Sequence, residues 1–250
     1  MFRRSVLLFL IGLLLVGVGS KVWARHGYSM VDDPRIYQYR NARASITQPY
    51  TLYVKRVDDK RPDYERLAAK PHYMYTVDGW WLRGTTFEGQ LTEVTTEELR
   101  RSGIFRKVSN TPEGADYILN TLVKHCYGKY QRSAASYAPF GGYAQNYIFG
   151  GTTLLVTLKK KDGTVVMQKE YSEEAKGKVS AQRSAAWMYV MLGNSLERCM
   201  ERILKDVDTA MGGKGLTFGQ APVKEKEKAK EEKKRERKER KKKKKKKKKD

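Results

Sequence analysis

The chain has 250 residues, with 51 Lys+Arg against 28 Asp+Glu, three His, two Cys and a formal net charge of +23. Residues 224–250 hold 19 basic and 7 acidic side chains, about half of that excess, so the pI of 9.9 is not the property of a folded basic domain. Two cysteines exclude a disulfide framework or a Cys-rich zinc site, and His26, His72 and His125 are too scattered for a metal cluster; no metal and no cofactor is expected.

Arg3 and Arg4 precede an uncharged apolar run from Val6 to Gly19. A helix of that length rises about 21 Å, short of the ~30 Å hydrocarbon core of a bilayer. Residues 1–24 therefore read as a secretory signal peptide, with an uncleaved membrane anchor as the alternative. Either way Arg3 and Arg4 stay cytoplasmic and the rest is exported. An oxidising compartment would then permit a Cys126–Cys199 bridge. Export also turns the reading away from nucleic acid.

Residues 25–49 show no periodicity and read as a linker, leaving one domain over residues 50–211. Its first strand is Tyr50–Val57, where β-formers alternate with polar residues. Phe87, Leu91, Val94 and Leu99 place one helix over Thr86–Ser102, closed by Arg100-Arg101 and Gly103. Ile104–Val108 and Tyr117–Tyr127 follow as strands. Residues 128–151, rich in Gly and Tyr, are expected to form a flexible insertion. Thr152–Lys161 and Thr164–Tyr171 form a hairpin about a two-residue Asp162-Gly163 turn, with Leu158 facing Met167 and Leu154 facing Tyr171. A long helix, Arg183–Met211, carries Met188, Leu192, Ser195, Cys199, Ile203 and Val207 along one stripe and stops at Gly212-Gly213. The order β-α-β-β-β-β-α gives an α+β two-layer sandwich: a mainly antiparallel sheet of four to five strands with two helices on one face.

Catalytic chemistry is sparse. His125 and Cys126 are strand neighbours and point to opposite faces, so they cannot pair as nucleophile and base. Lys176-Gly177-Lys178-Val179 fails as a phosphate loop, with Ser172 at the first glycine and Val179 at the Ser/Thr position. The reading is non-enzymatic; it would be reopened by finding Cys126, His72 or His125 beside a carboxylate in a cleft. Tyr73, Tyr75, Trp80 and Trp81 fall within nine residues and either complete the core or form a contact surface for a partner protein or lipid. Beyond residue 211 a disordered Lys-rich tail is expected. Its Lys241, Lys242, Lys243, Lys244, Lys245, Lys246, Lys247, Lys248 and Lys249 repel one another, bury nothing, and suit an anionic lipid or lipopolysaccharide surface.

Several runs resemble the ABC-type transport auxiliary lipoproteins of Gram-negative envelopes, PqiC-like proteins among them. They are Pro62-Asp63-Tyr64 after the first strand, Trp80-Trp81, and Glu98-Leu99-Arg100-Arg101-Ser102-Gly103-Ile104-Phe105 followed by Ala115-Asp116-Tyr117. The Ser-Gly-Ile-Phe and Ala-Asp-Tyr runs are similar also to YajG-like and LptE-like lipoproteins. Where those families carry a lipobox cysteine, this chain has Ser20 after Gly19. The resemblance implies a periplasmic or envelope protein, membrane-associated, that partners a lipid or lipopolysaccharide transport complex. The alternative class is a secreted or surface polyanion-binding module acting through its basic tail.

Overall fold

The computed structural model describes residues 36–66, 74–75, 86–131, 145–180 and 184–219. In chain order these form β1 (Ala42–Ala44), β2 (Gln48–Val54), β3 (Asp58–Asp59), α1 (Asp63–Arg66), β4 (Met74–Tyr75) and α2 (Phe87–Ser102). Then come β5 (Phe105–Ser109), β6 (Tyr117–Gln131), β7 (Gln145–Lys160), β8 (Val165–Ser180), α3 (Ser184–Ala210) and β9 (Leu216–Phe218).

The helices begin and end where the chain chemistry directs. Thr86 caps α2 by accepting from the Gly89 N–H, and Gly103 closes it in the left-handed region at φ 65°. At the end of α3, Gly212 donates to the Thr209 carbonyl and Gly213 to the Asp208 carbonyl, a Schellman closure with Gly212 at φ 76°. Leu91, Val94 and Leu99 of α2 and Leu192, Cys199, Ile203 and Val207 of α3 pack with Leu119 and Val123 of β6 and Val156 and Leu158 of β7 in one core.

The α+β expectation holds, but the sheet is larger and mixed. Seven strands take part in the order β5-β2-β6-β7-β8, with β3 and β4 also pairing β6. β2 runs parallel to both β5 and β6, and β3 parallel to β6; the other pairings are antiparallel. Parallel pairing follows from α2, which carries the chain back along the sheet between β2 and β5. The hairpin register is as expected, Leu154 opposite Tyr171 and Leu158 opposite Met167. Its turn is not a two-residue one. Gly163 donates to the Lys160 carbonyl and sits at φ 91°, followed by a register shift, which is a type I turn closed by a glycine bulge.

Two segments differ from expectation. The insertion 128–151 is in its described part strand, because β6 runs on to Gln131 and β7 starts at Gln145. Its glycines serve close approach: a Cβ on Gly150 would overlap the backbone of Met191 and Leu192 in α3, and one on Gly151 would overlap the Tyr127 ring. The segment expected as a linker also belongs, over residues 36–49, to the domain. Ile36 and Tyr37 are buried, Tyr37 Oη donates to Glu98 Oε1 at 2.5 Å, and Arg40 reaches Glu197 at 2.9 Å. β1 pairs with β9, so residues expected in the tail close the same end. Burial pushes the Glu98 and Glu197 carboxyls up, with Tyr37 and Arg40 hydrogen bonds opposing it.

Cys126 and Cys199 are free and buried, which corrects the bridge that export would permit. Thr152 of β7 lies against both: its Oγ1 is 3.9 Å from Cys126 Sγ, and its carbonyl accepts from Cys199 at 3.7 Å. Burial pushes each thiol up to about 12. Native protein at pH 8 is therefore expected to resist iodoacetamide while denatured protein takes up two adducts. Rapid native alkylation, or a mass 2 Da low, would contradict this.

Candidate functional site

β6 is the spine of the site because its outer edge has three successive kinds of partner. β2 and β3 pair it as far as Val123, and β4 pairs it again at Lys129 and Tyr130. Between them, at Cys126, side chains take the place of a strand. The Cys126 N–H donates to Glu65 Oε2 at 3.0 Å, and its carbonyl accepts from Arg61 Nη1 at 3.3 Å. Both side chains are buried as a result, and each is paired. Arg61 binds Asp59 through Nη2 at 2.7 Å and lies 3.6 Å over the Phe87 ring. Glu65 Oε1 meets His125 Nδ1 at 2.8 Å.

A register shift between Val123 and His125 turns the His125 ring onto the sheet face opposite α2 and α3. There it joins Tyr64, Tyr127, Lys129, Thr153, Ser172 and Glu174 around a cavity of about 520 Å³, with Glu65 at its floor. Thr153 and Ser172 hydroxyls lie 3.0 Å apart across β7 and β8. A second concavity, about 850 Å³, runs along α2 between Tyr39, Tyr53, Arg56, Glu93 and Arg101.

His125 thus does lie beside a carboxylate in a cleft, the arrangement that would reopen catalysis. Among the described residues no hydroxyl, thiol or amine is hydrogen-bonded to His125. Both Glu65 oxygens are engaged in tying α1 to β6. Cys126 faces the core, where its raised thiol is inert. Among the described residues no group of three His, Cys, Asp or Glu is placed to hold a metal ion.

Of the residues singled out by sequence, Tyr75 falls in β4, its backbone in register with Lys129 and so in line with the cleft. Tyr73, Trp80 and Trp81, and Lys241–Lys249, lie outside the described residues, as do the apolar run and its cleavage region. Sequence reasoning missed Glu65, which sits sixty residues before its partner and inside a four-residue helix. Among the described residues no helix is long and apolar enough to cross a membrane.

The architecture is that of an α+β domain whose mixed sheet is covered by two long helices on one side. No family model matches the chain, and no curated protein does. Among solved structures it is similar to a Xanthomonas campestris protein of the DUF330 family, at 14% identity and TM-score 0.39, covering 66% of this chain and 86% of that one. It is also similar to the rare lipoprotein B of Shewanella oneidensis, at 13% identity and TM-score 0.34, covering 64% and 94%. A minor lipoprotein of Acinetobacter baumannii matches at 10% identity and TM-score 0.34, covering 70% and 99%.

Proposed function

We propose that this chain is an exported, non-enzymatic component of the bacterial cell envelope. It is retained at a membrane and assists a lipid or lipopolysaccharide transport assembly by offering one sheet face to a partner protein. The observation that carries this reading is the uneven clothing of the sheet. α2 and α3 bury one face, whereas among the described residues only the single turn of α1 lies on the other. That face bears Tyr64, 54% exposed, beside Tyr127, with the Tyr75 backbone in the same row. Tyrosine supplies contact area and a hydrogen-bonding end at small entropic cost, which suits a protein interface. The apolar N-terminal run and the Lys-rich end support the membrane part of the reading.

The test is genetic and biochemical. Cells lacking the protein are expected to show altered partition of phospholipid or lipopolysaccharide between their membranes. Wild type should restore it, and a Tyr64→Ser variant of unchanged circular dichroism should not. Finding the full chain in the soluble cell interior, its first twenty residues intact, would overturn the proposal. Complete loss of envelope association on removing the tail alone would favour the polyanion-binding module instead.

A further inference from the structure

Beyond the cleft, β6, β7 and β8 continue as an arm, edged by β4 at Lys129 and Tyr130, and its charge is one-sided. No Asp or Glu lies between Asp116 and Asp162, nor between Glu174 and Glu197. The far half of the arm consequently carries Lys176 and Lys178 with no carboxylate in its own strands. Nearer the root the cations are paired: Lys124 with Glu170, Lys169 with Asp206 and Arg202 with Glu173. Among the described residues, no carboxylate pairs with Lys176 or Lys178.

The register puts these cations among rings on the open face. Gln131, Tyr147 and Lys178 share one row across the strands, and Lys129, Phe149 and Lys176 the next. Lys176 Nζ stands 5.2 Å from the Tyr147 ring centroid and 5.1 Å from that of Phe149, and Lys178 Nζ 5.6 Å from Tyr147. Two exposed ammonium groups therefore converge on one ring. The alternate residues Tyr130 and Ile148 turn the other way and pack on Met188 of α3, so the rows are held by a small core.

We infer that the far half of this arm is a contact surface for the anionic headgroups of a phospholipid bilayer. The lysine pair takes the phosphates, while Tyr147 and Phe149 beside it sit at the polar–apolar boundary, where rings are favoured. Single-stranded nucleic acid also uses cations among rings. The apolar run in the same chain favours the lipid surface. The inference rests on the proposed membrane reading and adds a folded contact to the one expected of the tail.

The test uses the full chain with one introduced cysteine, since Cys126 and Cys199 are buried with raised thiols. A nitrobenzoxadiazole label is attached at Gln131→Cys in the arm or at Lys161→Cys beside the opposite turn. Vesicles of phosphatidylcholine with phosphatidylglycerol carry headgroup nitroxides. Quenching at 131 but not at 161 is expected, and Lys176→Glu with Lys178→Glu should reduce it roughly tenfold while the tail keeps the protein on the vesicles. Co-sedimentation with no quenching at 131, or equal quenching at both positions, would overturn the arm contact and leave the membrane reading standing. Failure of the wild type to co-sediment would overturn both. A larger response at 131 to a single-stranded oligonucleotide than to vesicles would overturn it in favour of nucleic acid.

Discussion

Gly150→Ala is expected to destabilise the domain by about 3 kcal/mol or more, read as a fall in the urea midpoint followed by far-ultraviolet circular dichroism. The added methyl would lie inside the van der Waals surface of the Met191 carbonyl and the Leu192 N–H. The obstacle is backbone against backbone, so no rotamer change relieves it. α3 or β7 must shift, and both are lined by fully buried residues such as Leu154, Val156, Leu192 and Leu196. The same turn of helix is pinned from its other side, where a Cβ on Gly193 would overlap the Ile36 carbonyl. Residues 191–193 of α3 are thus clamped between sheet and strap. Gly193→Ala should free the strap and expose Ile36 and Tyr37. Gly163→Ala is the control: it sits in open space at φ 91° and should cost only the roughly 1 kcal/mol of a left-handed alanine. Equal midpoints for all three variants would refute the clamp.

The clamp also explains what could be read from the sequence. Thr86, Gly103 and the Gly212-Gly213 pair act locally, through caps and turns, so both long helices were legible to within a residue or two. The β7–β8 register was legible because alternation allows only one set of side chains to face the core. Glycines 150 and 151 misled for a physical reason: their lack of a side chain answers a distant helix and a ring, which in sequence is indistinguishable from a loop. The strap 36–49 was missed because its anchors, Glu98 and Glu197, lie in other elements. Parallel pairing of β2 with β5 and β6, and the two-residue strands β3 and β4, are decided by topology and leave no periodic mark. The cleft shares that difficulty. Its central pair, Glu65 and His125, is joined only once α1 is laid across β6.

Arg61→Met is expected to cost about 3–5 kcal/mol, the range for removing one partner of a buried ion pair. Arg61 and Asp59 expose 1% and 4% of their side chains, so water cannot take the place of the missing guanidinium. The Cys126 carbonyl loses its donor as well, at the point where the outer edge of β6 has no neighbouring strand among the described residues. Asp59→Asn in the Arg61→Met background should recover part of the loss, because an amide leaves no unpaired charge. The pH dependence separates this account from simple loss of packing. Burial pushes the Asp59 carboxyl up, but the hydrogen bonds and charge of Arg61 together hold it below the usual range. In wild type the folded state therefore binds that proton more weakly than the unfolded chain. The contribution of Asp59 is full above the unfolded value near ~3.9 and is lost as pH falls through the lower folded value. Without the guanidinium the folded carboxyl holds its proton more tightly than in wild type, although the N–H of residue 61 still donates to Asp59 Oδ1 at 3.0 Å, so less stability is gained as pH rises. The stability gap between wild type and variant should widen as pH rises through the carboxylate range, then stay constant. Parallel curves across that range would show that Asp59 and Arg61 are not energetically coupled.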